Sequence, residues 1–241
     1  AGLAATQSDA LSFTWVNQAA YAPQLGLTND TGTSLSDGIT SNPRITLGQV
    51  SNPAIVVGNQ TFQARLEYSL NGDDFQPIPE GGLFNGLQGV LPDGHYDLRV
   101  RAYYPGLALE SDPARLSFTL DTEVTAPQGY AITAVEGAFQ DPDGTDRVFS
   151  SQGASSVLFT LKQSPEAGAT VTLTIGGKEH AVQANSQGIW QASIAVADLP
   201  PGTHTPSIHI VDAAGNTATA NMPSFTVDNT GYDFVVGQDA D

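Results

Sequence analysis

Cysteine is absent from the 241 residues, and methionine occurs once. Without thiols, disulfides, thiolate zinc sites and cysteine nucleophiles fall away together, while an exported bacterial protein and a cytosolic one both remain compatible. Basic side chains are scarce too: two Lys and six Arg are spread over the chain against 25 Asp and Glu, for a formal net charge of −17. Nucleic-acid and anionic-membrane binding need clustered cations, which this balance does not supply. No apolar run approaches the ~20 residues of a membrane helix, and Ala1–Ala10 lacks the basic-then-apolar pattern of a secretory leader. Nor does any segment hold a 3.6-residue apolar period over three turns, and 25 Gly with 15 Pro would break most helices.

The chain is nevertheless 40% hydrophobic and only 14% charged, which is not the make-up of a disordered acidic tail. Its acids are skewed to 18 Asp against 7 Glu, and Asp favours turns and oxygen-rich cation loops. An internal repeat then organises the chain. LSFT at Leu11–Thr14, LSFTLD at Leu116–Asp121 and PSFTVD at Pro223–Asp228 match, with Phe13, Phe118 and Phe225 spaced by 105 and 107 residues. LPDGHY at Leu91–Tyr96 and LPPGTH at Leu199–His204 repeat at 108. The expected layout is the end of an upstream repeat at 1–18, repeats at 19–122 and 123–229, and a tail or the start of a further repeat at 230–241. The chain reads as a segment of a longer array.

Within each repeat, short alternating runs are separated by turn residues. Arg65, Glu67 and Ser69 alternate with Leu66, Tyr68 and Leu70 before Asn71-Gly72, a strong hairpin signal. Tyr96, Leu98, Val100 and Ala102 alternate with Asp97, Arg99 and Arg101. Val171, Leu173 and Ile175 run into a second hairpin turn at Gly176-Gly177, and Ile208 and Ile210 precede the loop DAAGN at Asp212–Asn216. The fold class expected is all-β: two tandem antiparallel β-sandwiches of about seven strands each.

GIW at Gly188–Trp190, LPPG at Leu199–Gly202, DAAGN and FTVDNT at Phe225–Thr230 resemble the bacterial immunoglobulin-like tandem repeats of very large surface adhesins. In the first copy, NDTGTSLSDGIT at Asn29–Thr40, YSLNGDDF at Tyr68–Phe75 and FTLDTEVTAP at Phe118–Pro127 look like the same family's calcium-associated loop, central hairpin and linker. The resemblance implies immunoglobulin-like sandwiches, export by type I secretion, and a part in biofilm formation and surface attachment. Two departures stand out. Val16 replaces the linker Asp121 and Asp228 of the later copies, and the second copy has DPDGTD at Asp141–Asp146 in place of the DTG…DGIT loop.

The carboxylates carry the chemistry. Counting strand reversals through a seven-strand sandwich places Asp30, Asp37, Asp73, Asp74, Asp93, Asp121 and Glu123 at one pole of the first repeat. Asp141, Asp143 and Asp146 should likewise lie beside Asp228 in the second. So many like charges repel, and Ca²⁺, which takes 6–8 oxygen ligands from flexible loops, resolves the conflict. The expected metal ligands are therefore Asp30, Asp37, Asp121, Glu123, Asp141, Asp143, Asp146 and Asp228. The competing explanation is that these residues form ordinary Asx turns. DPDGTD is no EF-hand, because its Gly is at position 4 and Gln152 stands where position 12 wants Glu.

Aromatic and histidine residues have structural explanations. Trp190 is expected to pack between the sheets beside Ile189 or Ile194. Tyr96 resembles the tyrosine that locks a sandwich corner through its hydroxyl, with His204 in the equivalent place. Trp15 belongs to a linker, and Tyr103-Tyr104 forms a loop aromatic pair that a ligand could touch. His204 and His209, on one strand and five apart, face opposite sides. No HExxH, GxSxG or phosphate loop is present, a Ser-His-Asp triad built from distant loops would leave no mark in sequence, and an isopeptide crosslink would need Lys162 or Lys178 buried.

The function expected is non-catalytic: a monomeric extender whose immunoglobulin-like repeats, stiffened by Ca²⁺ at their junctions, have as partners the neighbouring repeats of the same chain. It would project a distal ligand-binding region from a bacterial, Gram-negative surface, with no nucleic acid and no membrane insertion. The alternatives are a glycan- or protein-binding module and an accessory region of a secreted polysaccharide-degrading enzyme.

Overall fold

The computed structural model describes residues 22–50, 53–78, 91–126, 130–135, 148–149 and 156–228. In chain order the strands are β1 (Leu25–Leu27), β2 (Ile39–Thr40), β3 (Ile45–Leu47), β4 (Ala54–Val57), β5 (Gln60–Gln63), β6 (Arg65–Leu70), β7 (Gln76–Pro77), β8 (Gly94–Tyr104), β9 (Leu109–Glu110) and β10 (Ala114–Leu120). They continue as β11 (Tyr130–Val135), β12 (Val148–Phe149), β13 (Ser156–Leu161), β14 (Thr170–Ile175), β15 (Lys178–Ala184), β16 (Trp190–Ala195), β17 (Gly202–His204), β18 (Ser207–Val211), β19 (Thr217–Asn221) and β20 (Phe225–Val227). The fold is all-β with antiparallel sheets, and the one helical element among the described residues is a 3₁₀ turn at Val196–Asp198. Packing divides the chain into two units: residues up to Asn29 with Asn42–Leu120 form the first, and Asp30–Ser41 with the chain from Asp121 onward form the second.

In the first unit, β10, β8, β6 and β7 form a sheet in that order, β9 pairs with β8, and β1–β3 and β4–β5 make two separate ribbons. The long strand β8 shows why period 2 works. Tyr96, Leu98, Val100, Ala102 and Tyr104 are buried on one side, while Asp97, Arg99, Arg101 and Tyr103 stand on the other. Asn71 and Gly72 both take positive φ (52° and 89°), the backbone that the right-handed twist of a two-residue turn demands, and β6 and β7 pair across them. Tyr103-Tyr104 is not a loop pair but the end of β8. Tyr104 is wholly buried, and the Tyr103 ring lies under Arg65, 5.0 Å from the guanidinium carbon.

In the second unit the order is β11-β13-β16-β15-β14-β18-β19, with β12-β20-β17 beside it and β12 parallel to β20. Gly176 and Gly177 close a two-residue hairpin with φ of 55° and 81°, pairing Ile175 with Lys178. Pro206 has no N–H to offer a ladder, so the chain breaks there into β17 and β18. Its carbonyl accepts from Met222 N–H at 2.8 Å, where the neighbouring strand also breaks, into β19 and β20. His204 and His209 thus belong to different strands, not to one. Trp190 is half-buried against a core that includes Ile194, whereas Ile189 is 40% exposed.

Both corners are built alike. The Tyr96 hydroxyl donates to the Pro92 carbonyl at 2.5 Å, and its ring stacks on Phe118 with centroids 5.4 Å apart. His204 Nε2 donates to the Pro200 carbonyl at 2.7 Å and stacks on Phe225 at 5.4 Å. Each ring reaches back four residues to the turn that precedes it. Tyr96→Phe and His204→Phe keep the stack and delete the donor, so each is expected to cost about 1 kcal/mol, or roughly 4–8 °C in the melting temperature of its own unit. Calorimetric melts that do not move would show the corner bonds to be inert.

Candidate metal centre

Five of the expected ligands are described, and the four besides Asp121 do different things. Asp37, exposed, accepts from the Ile39 N–H two residues on at 3.0 Å, which is an Asx turn. Asp30 Oδ2 accepts from Gly38 N–H at 2.9 Å, and its Oδ1 is buried without a hydrogen-bond partner. Glu123 is exposed, and its N–H points back to Asp121 Oδ1 at 3.4 Å. Asp228 follows β20, and its N–H donates to the Phe149 carbonyl at 2.9 Å. Asp141, Asp143 and Asp146 lie outside the described residues, as do Trp15 and Val16.

Among the described residues one acidic cluster forms, and only Asp121 of the expected set belongs to it. One carboxylate oxygen from each of Asp121, Glu166 and Asp212 lies within 4.8 Å of the others. All three come from the second unit: Asp121 from the segment before β11, Glu166 from the Ser164-Pro165-Glu166 turn between β13 and β14, and Asp212 from the DAAGN loop between β18 and β19. The sequence marks DAAGN as a motif without assigning Asp212 a ligand role, and nothing in it singles out Glu166.

Asn216 holds the arrangement. Its backbone N–H donates to Asp212 Oδ1 and its Nδ2 to Asp212 Oδ2, each at 2.8 Å, and Nδ2 also reaches the Asp121 carbonyl at 2.9 Å. Asp212 is thereby locked in place with 1% of its surface exposed. Glu166, exposed, accepts from Thr125 N–H at 3.1 Å, beside a small open cavity lined also by Gln163, Ser164 and Ile210. Neither Glu166 nor Asp212 has an arginine or lysine partner among the described ion pairs. Three carboxylates this close repel one another, most of all at buried Asp212, and neutral donors relieve only part of it.

The Asp30–Ser41 segment packs against the same loop. Thr31 Oγ1 donates to the Ala214 carbonyl at 2.5 Å, and Asp121 N–H donates to the Thr40 carbonyl at 3.0 Å. Gly32 makes the approach feasible: with φ at 99°, a Cβ there would stand 1.8 Å from the Ala213 carbonyl oxygen. Gly32→Ala is expected to dislodge the segment. Faster amide exchange at Asp121 and Ser41 would show it, and unchanged exchange would contradict the close fit.

The donor set fits a hard dication. Oxygens on opposite sides of a Ca²⁺ ion, at ~2.3–2.6 Å each, are about 5 Å apart, so the observed spacing lies within one coordination sphere, and the ligands are all oxygen. A zinc-type centre would want nitrogen or sulfur, which the cluster does not contain. Catalytic chemistry finds no comparable assembly among the described residues. His95 Nε2 lies 3.0 Å from Ser117 Oγ, but its Nδ1 faces the Thr119 hydroxyl at 3.4 Å instead of a carboxylate, on an exposed sheet face. Lys162 and Lys178 are both exposed, so neither is the buried lysine of an isopeptide bond.

Solved structures similar to this chain include a Ca²⁺-stabilised adhesin with which an Antarctic bacterium reaches out and binds ice, at 18% identity and TM-score 0.38 over 88% of this chain and 50% of that one. A 1.5-MDa bacterial ice-binding adhesin, studied for its retention at the host cell surface, is 20% identical, with TM-score 0.40 over 88% of this chain and 66% of that one. The chicken CNTN1 FN1–FN3 domains are 11% identical, with TM-score 0.35 over 86% of this chain and 69% of that one. The chain therefore spans between half and two thirds of the two adhesin chains. No curated protein sequence matches it. Residues 154–229, from just before β13 to just past β20, match the family model described as a bacterial Ig-like domain.

Proposed function

We propose that this chain is a non-catalytic extender segment of a large bacterial surface adhesin, its immunoglobulin-like repeats at 19–122 and 123–229 set in tandem and stiffened by Ca²⁺. The observation that carries the reading is the Asp121, Glu166 and Asp212 cluster, in which a buried carboxylate is held by Asn216 beside two others. Bound there, Ca²⁺ would supply the positive charge that the three carboxylates lack. Asp121 comes from the stretch that joins the repeats, so fixing its backbone and side chain removes conformational freedom from that stretch. Asp30, Asp37, Glu123, Asp141, Asp143, Asp146 and Asp228 stay as candidate ligands.

The matched bacterial Ig-like family and the repeat motifs support an extracellular place at the cell surface, a monomeric chain whose partners are its own neighbouring repeats, and a part in adhesion and biofilm formation after type I secretion from a Gram-negative cell. Among the described residues no helix is long and apolar enough to cross a membrane.

Calcium titration of the full chain by calorimetry, with Glu166→Gln beside the native protein, tests the reading. The substituted amide keeps an oxygen to accept the Thr125 N–H but removes a charge, so binding should weaken about tenfold or more while the fold stays intact. Native protein that takes up no Ca²⁺, or a variant that binds it equally well, would overturn the assignment.

A further inference from the structure

Two Lys and six Arg look dispersed in the sequence, yet strand register collects four of the arginines on one face of one sheet. Arg65 stands opposite Tyr103, Glu67 opposite Arg101, and Arg99 lies between Ser69 on β6 and Arg115 on β10. Residues paired across strands share a face, and here it is the face turned away from Leu98 and Val100. Three carboxylates answer three of the four guanidinium groups. Glu67 serves Arg65 and Arg101, Glu110 serves Arg101, and Asp97 serves Arg99 at 3.0 Å.

Arg115 is the cation left over. It is exposed, has no hydrogen-bond or ion-pair partner among the described residues, and stands directly across from Arg99, whose Nε is buried without an acceptor. Like charges directly opposite on a sheet destabilise it, and no described carboxylate reaches Arg115 to relieve this pair. Cross-strand neighbours have Cβ atoms about 5 Å apart, so the Arg115 fork and the outer end of the Arg99 side chain, a third of which is exposed, can meet one carboxylate or sulfate, the oxyanions that guanidinium geometry matches.

The surroundings narrow the partner. Ser117, Thr119 and His95 continue the same face, adding hydroxyl and imidazole groups next to the arginine pair. The exposed large hydrophobics among the described residues, Leu35, Val56 and Ile189, all lie elsewhere in the chain, and Tyr103 on this face is covered by Arg65 and Arg101, so the ground around Arg115 lacks the apolar anchor on which protein interfaces depend. We infer that the outer face of the β10-β8-β6 sheet binds an acidic polysaccharide, with Arg99 and Arg115 clasping a uronate carboxylate or a sulfate ester while Ser117, Thr119 and His95 meet neighbouring sugar hydroxyls.

Calorimetry of the full chain with oligogalacturonate, chondroitin sulfate, neutral dextran and an oligoglutamate peptide tests this, with chelator present so that no ion bridges acid to acid. The expected result is that one or both acidic glycans bind, more weakly as salt rises, that dextran and the peptide do not, and that Arg115→Gln loses about tenfold in affinity. The two acidic glycans distinguish carboxylate from sulfate. Arg115→Glu gives a second readout: it places an acid opposite Arg99, so the melting temperature should hold or rise while glycan binding disappears. Absence of glycan binding, binding that survives Arg115→Glu, or preference for the peptide would each overturn the inference.

Discussion

Replacing Glu67 by alanine is expected to cost the first unit about 3–5 kcal/mol, as much as truncating a buried core side chain. The Glu67 side chain is 4% exposed, although it points away from the apolar core. Arg65 covers it through Nε and Nη2 at 2.9 and 2.6 Å, and Arg101 through Nε and Nη2 at 3.0 and 2.9 Å, so each carboxylate oxygen accepts two hydrogen bonds. Arg101 is in turn held over the Phe75 ring, its guanidinium carbon 4.0 Å from the centroid. Alanine would leave two cations facing each other with only Glu110 to answer them. For a unit of this size the melting temperature should fall by roughly 12–40 °C. In a Trp15→Phe background, Trp190 fluorescence, which then reports on the second unit, should move little. A drop of only a few degrees would mean that solvent screens the network as it screens ordinary surface pairs. Glu67→Leu combined with Arg101→Met should recover much of the loss, because apolar groups of similar volume replace buried ion pairs well.

Removing Ca²⁺ is expected to act on the other unit. If the ion binds only the folded state, at a concentration a hundred times its Kd it stabilises by about 2.7 kcal/mol, which chelator would take away as roughly 10–20 °C in the transition that Trp190 reports. Asp212→Ala should abolish that difference and also lower the stability of the ion-free protein, because Asn216 then loses two acceptors while its hold on the Asp121 carbonyl loosens. Glu166→Gln should abolish most of the Ca²⁺ response while leaving the ion-free protein as stable or slightly more so, since one of three repelling charges is gone. Melting curves that coincide with and without chelator would refute the stabilising role, whatever the titration shows.

The turns and corners were legible in the sequence because their causes are local. Asn71-Gly72 and Gly176-Gly177 need positive φ at adjacent residues, and few other pairs supply it. Tyr96 and His204 each stand four residues after the proline whose carbonyl they bond, a spacing visible in the repeat. The acidic cluster was only half legible. Counting strand reversals within the first repeat found Asp121 but looked for its companions in the same repeat, whereas Glu166 and Asp212 lie 45 and 91 residues further on. Asp212 carried a signal in its loop motif, whereas Glu166, in an unremarkable Pro-Glu turn, carried none. The arginines show the reverse case. Alternation in β6 and β8 was read correctly as a sign of strands, but which strand lies beside which decides whether six cations are dispersed or assembled, and alternation alone does not say.

One short pairing has a mechanical consequence. β12 and β20 are parallel, with Val148 beside Thr226 and Phe149 beside Val227, and the Asp228 N–H extends the ladder by donating to the Phe149 carbonyl. Tension drawn along the polypeptide reaches β12 from its N-terminal side once β11 has come away from β13, and β20 from its C-terminal side. In parallel strands those pulls run lengthwise in opposite directions, so the cross-links between them are sheared together and cannot be unzipped one at a time. Resistance to force is then set by the rate at which this small ladder ruptures, not by the equilibrium stability of the second unit as a whole.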